Sequence, residues 1–367
     1  MKLKVAENIA SLIPYPPGKP LEELEREYGI SGSIKLASNE NALGPSPKAV
    51  AAIGAVLGNL HRYPDGSCYY LAHALAEQLG VGADQLVFGN GSNEVIELLI
   101  KAFLAPGEEV VTSHPTFLVY AKMVQAYGGV NRVAPLINMH HDLEGILALV
   151  TDQTRLIFLD NPNNPTGTVF DSAAFENFLA RVPESVVVVL DEAYVDFVDP
   201  AKRLDARQYL RAATPVVALR TFSKAYGLAG LRVGYGLMRP EIADYLHRVR
   251  QPFNVNSLAQ VAARAALEDE EFYQQTLRLT HEGMTWLMRE IGAMGCRCFP
   301  SQTNFFLVDV GLDCTVVYEA LLRQGVIVRP MRAYGFPTFI RITVGTEAEN
   351  QRLVRSLAAV LRDVRHG

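Results

Sequence analysis

Three stretches decide the fold: LIFLDNPNNPTG (156–167), VVVVLDEAY (186–194) and VVALRTFSKAYGLAGLR (216–232). Each opens on a short apolar run and breaks at its end into acids, hydroxyls, prolines or glycines. Apolar runs of four or five residues without polar alternation predict strands buried on both faces, as in a parallel sheet covered by helices. Working outward, LVF (86–88) runs into GNGSN (89–93), EVVTS (109–113) into a helical stretch from Phe117, and VGYGL (233–237) closes the series. Helical spacing over 94–103 and 171–179 fills the gaps between strands. In sheets of this kind ligands lie beyond the carboxyl ends of the strands, so the residues following each run are the candidates for function.

After Glu241 the texture changes. Helical patterns over 257–267 and 270–294 precede FFLVDV (305–310), a helix near 315–324, VIVRP (326–330), FIRITV (339–344) and a terminal helix. This predicts a smaller α+β domain. The first thirty residues combine Pro14, Pro16, Pro17 and Pro20 with a charged, helix-like stretch from Leu21 to Tyr28, the pattern of an arm laid over a domain. The expected division is an arm over 1–40 packing on the small domain and the active site, a large domain over 41–250 and a small domain over 251–367.

With 367 residues the chain is long enough for two packed domains, and 49% hydrophobic with 20% charged residues is the balance of a soluble globular protein. A net charge of -5 argues against a nucleic-acid partner, which calls for clustered Lys and Arg. The longest apolar run is far too short to cross a bilayer, and the N-terminus lacks the apolar segment of a signal peptide. A cytoplasmic protein is expected. Cys296 and Cys298 form a CxC pair in an apolar segment and read as small core residues; with no HExxH among the histidines, no metal site is predicted.

The strand ends carry an unusual set of groups. GNGSN opens a helix with glycines and a hydroxyl, which suits an anion held on backbone N–H groups. NPNNPTG is a tight turn that offers amides. Asp191 ends a strand of valines, a costly place for a carboxylate without a partner. Lys224 lies among small and apolar residues, with hydroxyls before it and Arg232 after it. Singly, each has a plain alternative: a common turn, an N-cap, a solvated lysine. Together at one sheet edge they make coherent chemistry. A desolvated lysine attacks an aldehyde to form a Schiff base, and an acid facing a ring nitrogen keeps a pyridinium protonated. Backbone donors, hydroxyls and an arginine would hold a phosphate, so pyridoxal 5'-phosphate fits each piece.

NPNNPTG, DEAY (191–194) and TFSKAYGLAGLRVGY (221–235), in this order, resemble the fold-type-I aminotransferases. The likeness extends to IPYPPG (13–18), ASNEN (37–41), RYPDG (62–66), IVRPM (327–331) and FIRITVG (339–345). It implies an α/β fold, that of a fold-type-I PLP-dependent transferase, with a mostly parallel central sheet in a large domain and a smaller α+β domain. It implies that Lys224 carries the cofactor, that Asp191 pairs with the ring nitrogen, and that Tyr194 and Asn164 bond the phenolic oxygen. Phe117 matches the aromatic that stacks on the ring. Gly91, Ser92, Asn93, Thr221, Ser223 and Arg232 match the phosphate cradle, and Tyr63 matches a tyrosine that reaches the phosphate from a second subunit, hence a homodimer with shared sites. Arg341 matches the arginine that grips the anionic end of the substrate, with Tyr15, Asn39 and Arg329 as further substrate contacts. The implied reaction is transamination between histidinol phosphate and 2-oxoglutarate. Aromatic amino acids as donors, and decarboxylation of threonine phosphate, fit the same strings, since an arginine serves a phosphate ester and an α-carboxylate alike. A binding protein that kept the fold, and a dinucleotide-binding dehydrogenase built on GNGSN, are the readings from other classes; the latter lacks the full GxGxxG spacing.

Overall fold

The computed structural model describes residues 3–14 and 18–366. In chain order its strands are β1 (Ile34–Lys35), β2 (Leu86–Gly89), β3 (Glu109–His114), β4 (Val130–Pro135), β5 (Thr154–Asp160), β6 (Val187–Asp191) and β7 (Val216–Thr221). They continue with β8 (Gly234–Leu237), β9 (Arg297–Cys298), β10 (Phe305–Asp309), β11 (Val326–Ile327), β12 (Arg329–Pro330) and β13 (Phe339–Thr343). Seven of them form one sheet in the order β2-β8-β7-β6-β5-β3-β4. Every pairing from β7 to β4 is parallel, and β8 runs antiparallel to both of its neighbours. The fold is therefore α/β with a mostly parallel central sheet.

The apolar runs are continuous because both faces of this sheet are covered. Val188, Leu190, Ile157, Leu159 and Ala218 point into one core, and Val187, Val189, Leu156, Phe158, Val217 and Leu219 into another. The same alternation decides where the strand ends point. Asp160, Asp191 and Thr221 continue the parity of the second set, so they share the face covered by the helices Ser92–Phe103 and Val119–Ala126. Since β8 reverses, its amino end meets the carboxyl ends of its neighbours, which brings Arg232 to the edge that also carries Asp191 and Lys224.

The second sheet is antiparallel, in the order β12-β13-β10-β9, and has its own core of Phe306, Val308, Ile340 and Ile342 against Leu287, Leu321 and Leu357. The helix Ser257–Leu267 packs its buried alanines, Ala259, Ala262, Ala263 and Ala266, into the core of the large sheet. Its alanine face allows close approach to the helices Pro47–Val56 and Tyr69–Leu79. The helix Glu270–Ala293 then leads to the small sheet, where Met284, Leu287 and Ile291 are buried. We propose that the division between large and small domains falls within this helix rather than at 250. Within the arm, the part from Leu24 to Ala37 joins the small sheet's side: β1 pairs in parallel with β11, and Leu24 and Ala37 are buried with Leu322 and Ile327.

Candidate active site

A cavity of about 320 Å³ opens at the carboxyl edge of the large sheet. Ser92, Asn93, Phe117, Asn164, Asp191, Tyr194, Thr221, Ser223, Lys224 and Arg232 line it, drawn from the carboxyl ends of β2, β3, β5, β6 and β7 and the segments after them, with Arg232 just before β8. The cavity wall is completed by residues that the sequence patterns did not single out, among them Ser38, Glu40, Tyr120 and Asp160.

Asp191 is buried at the end of β6 and accepts from the Tyr120 hydroxyl at 2.7 Å and from the Ala193 N–H at 3.1 Å. Burial pushes its carboxyl up to about 7, the Tyr120 hydroxyl opposes the rise, and the carboxylate of Asp160 adds to it. Neither partner of Asp191 carries a positive charge. Glu192, the next acid in DEAY, is engaged elsewhere, in a 2.7 Å ion pair with Arg220. Asp160, the register partner of Asp191 on β5, is held by the Thr116 hydroxyl, by the Asn164 N–H at 2.9 Å and by His141 at 3.1 Å. His141 Nε2 faces only acceptors, the Asp160 carboxylate and carbonyl, so this nitrogen carries the proton.

Lys224 follows β7 by three residues, and its amine donates to the Ser38 carbonyl at 3.2 Å. Burial lowers it to about 8, helped by the positive charge of Arg341 and opposed by Glu40. A much larger fraction is therefore free base at neutral pH than for an ordinary lysine, and the free base is the state that attacks a carbonyl carbon.

The anion side of the cavity is built from backbone. Gly91 has φ +80°, a conformation open to glycine, and a Cβ there would stand 2.4 Å from an Arg232 nitrogen. A Cβ on Gly234 would stand 2.4 Å from the Ser92 nitrogen. These two glycines let β8 and Arg232 close against the first turn of the helix Ser92–Phe103, whose leading N–H groups lack intrahelical acceptors. Thr221 donates to Ser223 at 2.9 Å, setting two hydroxyls side by side at the same end.

Arg341 is buried on β13, with one guanidinium nitrogen on the Asn164 side-chain oxygen at 2.5 Å and another on the Ala37 carbonyl at 2.9 Å. Among the described residues its Nε has no partner, and its guanidinium lies 4.9 Å from the Phe305 ring centre. The remaining expected contacts lie elsewhere. Asn39 is buried, and its amide donates to the Tyr194 hydroxyl at 2.8 Å. Arg329 sits across from Arg341 in the β12–β13 pairing and lines a separate groove with Lys19 and Tyr318. Tyr63 is 83% exposed and stacks on Phe253, with ring centres 5.0 Å apart. Tyr15 lies outside the described residues.

Comparison with known proteins identifies the family. The model for aminotransferase class I and II matches residues 31–357, and the chain belongs to that family. The histidinol-phosphate aminotransferase of Desulfotalea psychrophila is 58% identical, over 100% of this chain and 97% of its own. That of Moorella thermoacetica is 48% identical, over 98% of this chain and 93% of its own. The crystal structure of histidinol-phosphate aminotransferase from Sinorhizobium meliloti in complex with pyridoxal-5'-phosphate superposes with a TM-score of 0.91 at 30% identity, covering 99% of both chains.

Proposed function

We propose that this chain transfers the amino group of histidinol phosphate to 2-oxoglutarate, giving imidazole acetol phosphate and glutamate, with pyridoxal 5'-phosphate as cofactor. The observation that carries the reading is Asp191: a buried carboxylate on the cavity wall with two neutral donors and no counter-charge. A protonated ring nitrogen is the group that this carboxylate lacks. The rest of the lining fits the same molecule. Ser92, Asn93, Thr221, Ser223 and Arg232 would hold the phosphate, Phe117 would cover the ring, and Tyr194 and Asn164 would bond its phenolic oxygen. Once bound, the cofactor withdraws electrons from the substrate carbon that bears the amine, which makes the proton on that carbon removable.

The chain's own residues supply the other requirements. Lys224 would bind the cofactor and, once the incoming amine had displaced it, would as a free base take the proton from the substrate carbon and deliver it to C4′ of the cofactor. Its depressed basicity makes the free base far more accessible near neutral pH than it is for an ordinary lysine. Asp191, held by Tyr120, keeps the ring nitrogen cationic. Arg341, beside Asn164 on the cavity wall, would hold the substrate's anionic end with its planar guanidinium.

We further propose a homodimer in which Tyr63 of each copy completes the site of the other; its exposure and its stacking on Phe253 support that placement. We place the enzyme in the cytoplasm, in line with Cys68, Cys296, Cys298 and Cys314 all being free thiols. Among the described residues no helix is long and apolar enough to cross a membrane.

The test is a donor panel. Histidinol phosphate, phenylalanine and threonine phosphate are supplied singly, with and without 2-oxoglutarate, and the expected result is fastest turnover with histidinol phosphate, dependent on 2-oxoglutarate. Preference for phenylalanine, or release of carbon dioxide from threonine phosphate, overturns the substrate assignment.

A further inference from the structure

Asn39 matches a substrate contact in the sequence, and in the structure both ends of its side-chain amide bond protein. Its side-chain nitrogen donates to the Tyr194 hydroxyl at 2.8 Å, and its side-chain oxygen accepts from the Thr343 hydroxyl at 3.0 Å. Its backbone N–H donates to that same hydroxyl at 3.0 Å, and its carbonyl accepts from Asn304 at 3.1 Å. It adopts φ +56°, an uncommon conformation that asparagine tolerates better than most residues. Thr343 ends β13, and its register partner on β10 is Phe305. Phe305 meets the Tyr194 ring edge-on, with centres 5.0 Å apart. One cross-strand pair of the small sheet therefore controls both parts of Tyr194, the ring through Phe305 and the hydroxyl through Thr343 and Asn39. Arg341 lies two residues before Thr343 and so on the same face of β13.

We propose that Thr343 and Asn39 are positioning residues that aim the Tyr194 hydroxyl, so that the strand carrying Arg341 also sets the hydrogen bond Tyr194 gives to the cofactor. This rests on the reading of Tyr194 as the donor to the phenolic oxygen. The geometry explains the direction of the proton. Because Asn39 donates to the Tyr194 oxygen, the hydroxyl hydrogen is left to point into the cavity. Anchoring of an anion by Arg341 and orientation of Tyr194 then share one rigid element, and movement of β13 alters both.

The relay makes a spectroscopic prediction. A hydrogen bond to the phenolic oxygen stabilises its anion; weakening that bond leaves more charge there, which holds the proton on the nearby lysine nitrogen to higher pH. In enzyme loaded with pyridoxal phosphate, Thr343→Val should raise the pH midpoint of the visible absorption band by about 0.5–1 unit. It should lower kcat several-fold and leave KM for the amino donor unchanged. Thr343→Ser keeps the hydroxyl and should restore the wild-type midpoint. In a Tyr194→Phe background, Thr343→Val should add no further shift, since the relay then has no end point. An unshifted midpoint in Thr343→Val, a rise in KM alone, or a full additional shift in the Tyr194→Phe background overturns the relay and leaves the cofactor assignment standing. A wild-type chain that binds no pyridoxal phosphate overturns both.

Discussion

At the scale of single residues, the account turns on how burial moves two titrations in opposite directions. Asp191 is pushed up to about 7 and Lys224 down to about 8. Each therefore titrates close to neutral pH before any cofactor arrives, and binding a cationic ring nitrogen holds Asp191 in its charged form. For Lys224 the sign is testable. In the unfolded chain the amine keeps its proton up to about 10.5, whereas in the folded chain it loses it near 8. The unfolded state thus binds more protons between those values, so this lysine makes the cofactor-free chain more stable as pH rises from 8 to 10.5. The same titration governs reactivity. The rate at which cofactor-free protein takes up pyridoxal phosphate, followed by absorbance, should rise with a midpoint near pH 8; a midpoint near 10.5 would show an ordinary solvated lysine.

At the scale of elements, the positions that spelled themselves out were those where one strand meets one turn. GNGSN, the NPNNPTG turn, Asp191 and Lys224 are legible because polar groups at or just after the end of a buried strand stand out from their neighbours, while Asn164 within its turn is marked only by the family resemblance. Tyr120 and Asp160 are not legible, for a physical reason. Tyr120 lies inside a helix and stacks on Phe158 like any core aromatic, so nothing in its neighbourhood announces that its hydroxyl reaches Asp191. Asp160 precedes the turn that drew attention. Asn39 was picked as a substrate contact, but its partners come from residues 194 and 343, which no local pattern connects to it. The direction of β8 was hidden for a similar reason, because a short apolar run reads the same whichever way the strand points. That direction matters, since it sets Gly234 against the helix start. Gly234→Ala would force a methyl against the Ser92 nitrogen, a contact that backbone alone must relieve. It should weaken pyridoxal phosphate binding by about tenfold or more, and pyridoxal lacking the phosphate by much less. Titration of the visible band with both compounds measures the difference; equal losses would place the damage away from the phosphate.

At the scale of the whole molecule, the two-layer plan of a large parallel sheet and a small antiparallel one was legible from the change of texture after residue 241. The edge strand β4 was not. Its residues Asn131, Arg132 and Val133 are polar or partly exposed, as an edge allows, so it lacks the apolar run that marked the others. The helix Ser257–Leu267 was legible as a helix but not as part of the large core, because an alanine face does not say which partner it meets. Above the single chain, the proposed homodimer makes its own prediction. Lys224→Ala and Tyr63→Ala are each expected to be impaired alone. When the two are refolded together, one site of each hybrid dimer regains Lys224 from one copy and Tyr63 from the other. Activity above that of either variant supports shared sites, and its absence would place Tyr63 in its own subunit's site or outside the chemistry.

The central claim is that Lys224 is the residue that bonds the cofactor, and borohydride reduction followed by peptide mass mapping tests it most directly. The account predicts that protein loaded with pyridoxal phosphate and reduced carries the added mass on the peptide containing Lys224, and that Lys224→Ala carries none. Attachment to another lysine, or no attachment in the wild-type chain, would contradict it.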